Sequence, residues 1–129
     1  MRIDYAERAR ALVGTRFRPQ GRDSNGIDCV GVALATYAIL PGSVRRNYAM
    51  RGDHEAEARA SLCRDFRRVS PARLRSGDLL LIRVAVDQVH FGVRTGAGFV
   101  HAHAGLRRVV ETPGMPQWPL IGVYRKREG

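Results

Sequence analysis

Polar and apolar positions change their period once along this chain, near Pro71, from helical spacing before it to strand alternation after it. Asp4 with Glu7 forms a capping box, and Tyr5, Ala9, Leu12 and Val13 share one helical stripe that Gly14 ends, which predicts a first helix over residues 4–13. Residues 17–27 carry Pro19, Gly21, Asp23, Ser24, Asn25 and Gly26, which is turn chemistry, so a loop delivers the chain to Asp28-Cys29. From Val30 to Leu40 nearly every residue is apolar or small, too long a run for an ordinary strand, and Pro41-Gly42 stops it. That run predicts a helix buried on most sides, with Cys29 in its first turn. A third helix is expected from near Asp53, where Glu55 and Glu57 suit the dipole, carrying Ala56, Ala60, Cys63 and Phe66 on its apolar stripe and ending before Ser70-Pro71.

Beyond Ser76-Gly77-Asp78 the runs shorten to Leu79–Val84, Val89–Thr95, Phe99–His103, Arg107–Glu111 and Ile121–Arg125, separated by Gly or Pro. Helices followed by strands indicate an α+β domain: N-terminal helices packed on a C-terminal antiparallel sheet of about five strands.

The size supports one domain over residues 1–129. At 129 residues, 44% hydrophobic and 26% charged, the chain can bury a core without disulfide or metal staples, and two cysteines make no disulfide framework. No window approaches the roughly 20 apolar residues that cross a bilayer. The N-terminus is charged where a signal peptide needs its apolar stretch, so synthesis in the cytoplasm without an export signal is expected.

Twenty-two Lys and Arg against twelve Asp and Glu give a net charge of +10, which draws the protein toward polyanions. Lys126 is the sole lysine, and the arginines are scattered, with short pairs such as Arg45-Arg46 and Arg107-Arg108. Zinc-finger spacing, a ribonucleoprotein aromatic signature and a basic block of five are all missing, and aromatics make up only 7%. The excess charge therefore reads as solvated surface, and no specific nucleic-acid partner is expected.

Cys29 is the sharpest chemical feature. A thiol reacts as its thiolate, and a helix N-terminus or a nearby imidazolium lowers its pKa to roughly 3.5 to 7.5 from about 8.5. His90, in Val89-His90-Phe91-Gly92-Val93, falls on the strand face opposite Val89, Phe91 and Val93, where Gly92 leaves room beside the ring. His101 follows the Thr95-Gly96-Ala97-Gly98 hairpin turn, so paired strands should bring the two rings into contact. Such a trio supplies nucleophile, base and orienter: His90 pairs with Cys29 and protonates the leaving amine, and His101 fixes the tautomer of His90. The same residues also fit a small core cysteine and two polar side chains on a half-exposed sheet. His103 shares a strand face with His101, but a zinc site needs a third ligand and an open position, and no Cys-x-x-Cys or His-x-x-x-His element supports one. No metal or other cofactor is expected. His54 reads as a surface residue and Cys63 as core.

These residues resemble the NlpC-type cysteine peptidases of the bacterial cell wall, papain-like endopeptidases that cut peptidoglycan stem peptides. Val13-Gly14-Thr15-Arg16-Phe17, Gly21-Arg22-Asp23 and Gly26-Ile27-Asp28-Cys29-Val30-Gly31 look like the family's leading loop and nucleophile motif. Ser76-Gly77-Asp78-Leu79 looks like its strand-opening Pro-Gly-Asp-Leu, His90-Phe91-Gly92-Val93 like its His-Val-Gly-Ile, and Phe99-Val100-His101-Ala102 like its Phe-Ile-His-Ala. The Gly-Arg-Asp loop and the Asp-Cys-Val-Gly variant are similar to peptidases of phage tails and gene-transfer-agent particles. Val30 stands where the family usually has Ser, and Phe17 where it usually has Tyr.

The resemblance implies a papain-like fold and hydrolysis of a stem-peptide amide, between D-glutamate and a diamino acid, by Cys29, His90 and His101. Tail or baseplate proteins would be its partners, a virion-like particle its carrier, and the periplasm or cell wall its place of action. Substrate contacts are expected from Phe17, Arg22, Asp28 and His103. Arg16 and Arg18 offer further forks for substrate carboxylates, and Asp28 suits a negative N-cap. Two rivals remain: an amidase or acyltransferase using the same Cys-His pair on another substrate, and a non-catalytic tail or wall-binding module.

Overall fold

The structure, a computed structural model, describes residues 3–18, 22–23, 26–38, 59, 62, 64–86 and 88–127, with the backbone alone at 22–23 and 26–27. Helix α1 spans Tyr5–Arg10 and is capped by Asp4, whose side chain accepts from the Glu7 N–H at 3.1 Å. It ends three residues before the sequence pattern does because the chain there turns to lie along a strand. Gly14, with φ +96°, donates its N–H to Val109 O, and Thr15 O accepts from Val109 N–H.

A two-residue ladder of β1 (Arg22–Asp23) with β2 (Gly26–Ile27) leads into α2 (Cys29–Tyr37). Every residue of α2 except Ala35 is buried, as its all-round apolar sequence requires. It ends at Ala38, which takes the left-handed conformation at φ 55° and donates to Leu34 O. Ile39 and Leu40, which the sequence adds to this helix, lie outside the described residues, as does most of the third predicted helix. Arg59 and Leu62 are helical, but Phe66 is not. It opens a strand, β3 (Phe66–Val69), because its backbone pairs with Lys126 while its ring packs edge-on against Tyr37 at 4.9 Å between centroids. A buried, exposed, exposed, buried sequence satisfies helical spacing by coincidence, and tertiary pairing decides.

A 3-10 turn at Pro71–Arg73 precedes β4 (Leu79–Ala85), β5 (Gln88–Arg94), β6 (Gly98–His103), β7 (Arg108–Pro113) and β8 (Leu120–Lys126). They form an antiparallel sheet in the order β3-β8-β4-β5-β6-β7, one strand more than the sequence indicates. The sheet is covered on both faces, which is why Leu79, Leu80, Leu81 and Ile82 run apolar without alternation and are all fully buried. One face, with Leu79, Leu81, Phe91, Val93, Val100 and Tyr124, packs on α2. The other, with Leu80, Ile82, Phe99 and Val123, packs under Leu74, Trp118 and Leu120. Helix α2 lies against β5 and β6. Among the described residues no helix is long and apolar enough to cross a membrane.

Candidate active site

Asp28 is the N-cap of α2: its carboxylate accepts from the Gly31 N–H at 2.8 Å and its carbonyl from the Val32 N–H at 2.9 Å. This places Cys29 as the first residue of the helix, buried, where the macrodipole favours an anion. Asp28, a candidate substrate contact by sequence, is thus 8% exposed and bound to the helix it starts.

The two histidines come from adjacent strands. His90 sits opposite Ile82 in the β4–β5 register, on the face away from Val89, Phe91 and Val93, as alternation requires. This is the sheet face opposite the one packed on the Cys29 helix, whereas the sequence predicts that His90 faces the thiol. Its Nε2 lies 3.2 Å from Nδ1 of His101, with the rings edge to face at 5.3 Å between centroids. The β5–β6 ladder pairs only Val93 with Val100 and Arg94 with Phe99, close to the turn. Side chains rather than backbone therefore join the strands at the histidines. The space beside Gly92 belongs to Phe99: a Cβ on Gly92 would meet the Phe99 ring at 3.1 Å, and that ring stacks on His101 at 4.6 Å. The other nitrogen of His101, Nε2, lies 2.9 Å from Thr112 Oγ1.

Burial first, then His101, then His103 push His90 down from 6.5 to about 3. Burial and His103 push His101 down to about 4. Both rings are neutral near pH 7, so His90 rests as a base able to take a proton rather than as the imidazolium that the sequence places beside the thiol. A charged His90 is favourable only with an anion facing it.

The remaining candidates divide. His103 tilts against His101 at 5.6 Å and its Nδ1 accepts from the Leu106 N–H at 3.1 Å. Phe17 is half-buried against the helix-side core and donates its N–H to Arg107 O, while Arg16 and Arg18 are exposed. The side chain of Arg22, His54 and Cys63 lie outside the described residues. Among the described residues no group of three or more His, Cys, Asp or Glu is arranged to hold a metal. A cleft of about 990 Å³ lined by Tyr5, Arg75, Asp78 and Arg125 includes none of these candidates. Thr112 is the site residue that sequence reasoning missed. Its signal was weak: position 112 faces Phe99 across β6 and β7, which puts it on the face of His101 only once the register is known.

No protein-family model matches the chain. The chain is similar to the murein DD-endopeptidase MepS/murein LD-carboxypeptidase of Escherichia coli strain K12, 28% identical over 106 residues. The Escherichia coli O157:H7 protein of that name is equally similar. The chain spans about half the length of these curated relatives: 81% of it is covered, against 51% of theirs. Among solved structures, the NlpC/p60 domain of the peptidoglycan hydrolase SagA superposes with a TM-score of 0.60 at 20% identity, over 85% of this chain and 86% of that one. An NlpC/p60 family protein from Bacillus cereus ATCC 10987 gives 0.66 at 20% identity, over 95% of this chain and 39% of that one. The peptidoglycan hydrolase RipB of Mycobacterium tuberculosis gives 0.61 at 21% identity, over 95% and 62%. The fold is the α+β, papain-like fold of these domains.

Proposed function

We propose that this chain is a peptidoglycan hydrolase, a single domain over residues 1–129 that cleaves a stem-peptide amide with Cys29 as nucleophile, His90 as base and His101 as orienter. The observation that carries the reading is the 3.2 Å contact between His90 Nε2 and His101 Nδ1. It occupies one nitrogen of His90 and leaves Nδ1 as the acceptor this reading requires for the thiol, although His90 projects from the face of β5 opposite the one on which the Cys29 helix packs. The similarity to murein and peptidoglycan hydrolases supports the substrate class.

In this reading the Cys29 S–H proton passes to His90 Nδ1, and the sulfur electron pair forms a bond to the amide carbon. The oxyanion is met by backbone N–H groups at the start of α2, the Cys29 N–H among them, because the first turn of a helix points its donors outward. On collapse the C–N bond breaks and the amine leaves with the proton from His90. Water, giving its proton back to His90, then displaces the thiol from the thioester and frees the acid. Phe17, Arg22, Asp28 and His103 remain the proposed substrate contacts, with Asp28 acting through the helix it caps.

The bond proposed is that between D-glutamate and the diamino acid. Similarity to a protein named murein DD-endopeptidase/murein LD-carboxypeptidase favours a second reading, in which a different peptide bond of murein is cut. The leading-loop and Asp28-Cys29-Val30-Gly31 likeness further supports carriage on a phage tail or gene-transfer-agent particle, with tail or baseplate proteins as partners and action at the periplasmic wall. Mass spectrometry of fragments released from purified sacculi tests the activity and tells the bonds apart. Wild type should release peptide fragments and Cys29→Ala about 10³-fold less or none. Equal release by both overturns the proposal. Detection of the chain in gradient-purified particles tests the carrier.

A further inference from the structure

Resting on the hydrolase reading, we propose that Thr112 is a positioning residue: its hydroxyl accepts the Nε2–H of His101 and so holds His101 Nδ1 open to receive the Nε2–H of His90. The inference follows from counting protons along three side chains. A neutral imidazole carries one N–H and one lone pair. His90 can take the thiol proton on Nδ1 only if its own proton is on Nε2. That N–H points at His101 Nδ1, 3.2 Å away, which must then be a lone pair. His101 therefore carries its proton on Nε2, and 2.9 Å from it stands Thr112 Oγ1.

Run in the other direction, with Thr112 donating to His101, the same chain puts the proton of His90 on Nδ1, where it blocks acceptance from the thiol. A hydroxyl permits both directions, and Thr112 is only half-buried, so its own hydrogen can go to solvent while it accepts. His101 has no such outlet. It is 3% exposed, with the Phe99 ring stacked on one face, so an Nε2–H without Thr112 would be a buried donor left unsatisfied. Loss of the acceptor therefore drives the His101 proton to Nδ1 and the His90 proton to its unproductive nitrogen. The titratable groups facing His101 are His90 from β5 and His103 from its own strand. Glu111, beside Thr112, sits on the opposite face with Thr95 and Arg10 and takes no part.

The test reads imidazole ¹⁵N shifts of wild type, Thr112→Ser and Thr112→Val at pH 7, with His101 assigned from the spectrum of His101→Asn. Wild type and Thr112→Ser should show His101 protonated on Nε2, and Thr112→Val should lose that state. In cleavage assays kcat of Thr112→Val should fall about 10- to 100-fold, as loss of an orienting partner does elsewhere, with KM unchanged and Thr112→Ser restoring the rate. A wild-type His101 protonated on Nδ1, or a Thr112→Val protein with unaltered tautomer and kcat, overturns the inference. The nitrogen shifts need no substrate: a wild type that cleaves nothing overturns the hydrolase reading, while the tautomer result still decides the role of Thr112.

Discussion

His90 and His101 meet ring nitrogen to ring nitrogen at 3.2 Å, although the backbones that carry them are no longer paired at that point. The contact holds because neither ring is charged. Two imidazolium ions at that distance would repel in a buried setting; burial above all, with repulsion from His101 and His103 at His90 and from His103 at His101, keeps both rings neutral well below their ordinary range.

This has an acid signature. The native pKa is about 3 for His90 and about 4 for His101, against about 6.5 in the unfolded chain. Between pH 6.5 and 4 the unfolded state binds protons that the native state refuses, so stability is full above pH 6.5 and is lost as pH falls toward the native values. The slope is about 1.4 kcal/mol per pH unit for each fully depressed histidine. Urea denaturation at several pH values between 6 and 4.5 should show His101→Asn losing stability with a visibly shallower slope than wild type. Equal slopes would mean that the histidines titrate normally in the folded protein.

A second expectation separates the two things Asp28 does. As an N-cap it holds the first turn of α2 together, and as a carboxylate beside Cys29 it opposes a second negative charge. Asn caps as well as Asp but carries no charge. Asp28→Ala should cost about 1 kcal/mol in urea unfolding, and Asp28→Asn far less. In iodoacetamide alkylation the Asn variant should move the pH midpoint of Cys29 downward, because removing a like charge favours the thiolate. An upward shift would show that the side chain aids ionisation through some contact other than capping.

What the sequence displayed depended on how local the cause was. The cap Asp28, the helix that follows it, the alternation around His90 and the hairpin that returns His101 are all set by neighbours within a few positions, and the structure has each of them. Phe66 was misread because its strand exists only by pairing with residues near 126, far along the chain. The separation of β5 from β6 at the histidines leaves no mark in either strand, since both stay regular. Thr112 was invisible for the same reason: its value lies in a cross-strand diagonal to His101. The likeness of residues 76–79 to a peptidase motif was legible, but its physical reason was not.

That reason is the Asp78 carboxylate, which yields the last prediction. Asp78 is 2% exposed and accepts from Arg125 Nε and Nη2, both at 2.8 Å, and from the Arg75 N–H at 2.9 Å. The two-pronged pair joins the start of β4 to the end of β8 and takes no part in the chemistry of the histidines. Arg125 also faces Arg67 directly across β3 and β8, so the carboxylate keeps two like charges tolerable in one register. Asp78→Asn removes that compensation and leaves a guanidinium with 18% side-chain exposure unpaired beside Arg67. Breaking a fully buried pair costs about 3–5 kcal/mol, and the partial exposure of Arg125 reduces this to roughly 2–3 kcal/mol. Arg125→Met alone should cost a similar amount, because it strands the buried carboxylate. The double variant Asp78→Asn with Arg125→Met should recover much of the loss, since no charge is then left without a partner. Urea unfolding of the four proteins measures the coupling. Additive losses in the double variant would show that the pair is two independent surface contacts rather than one buried unit.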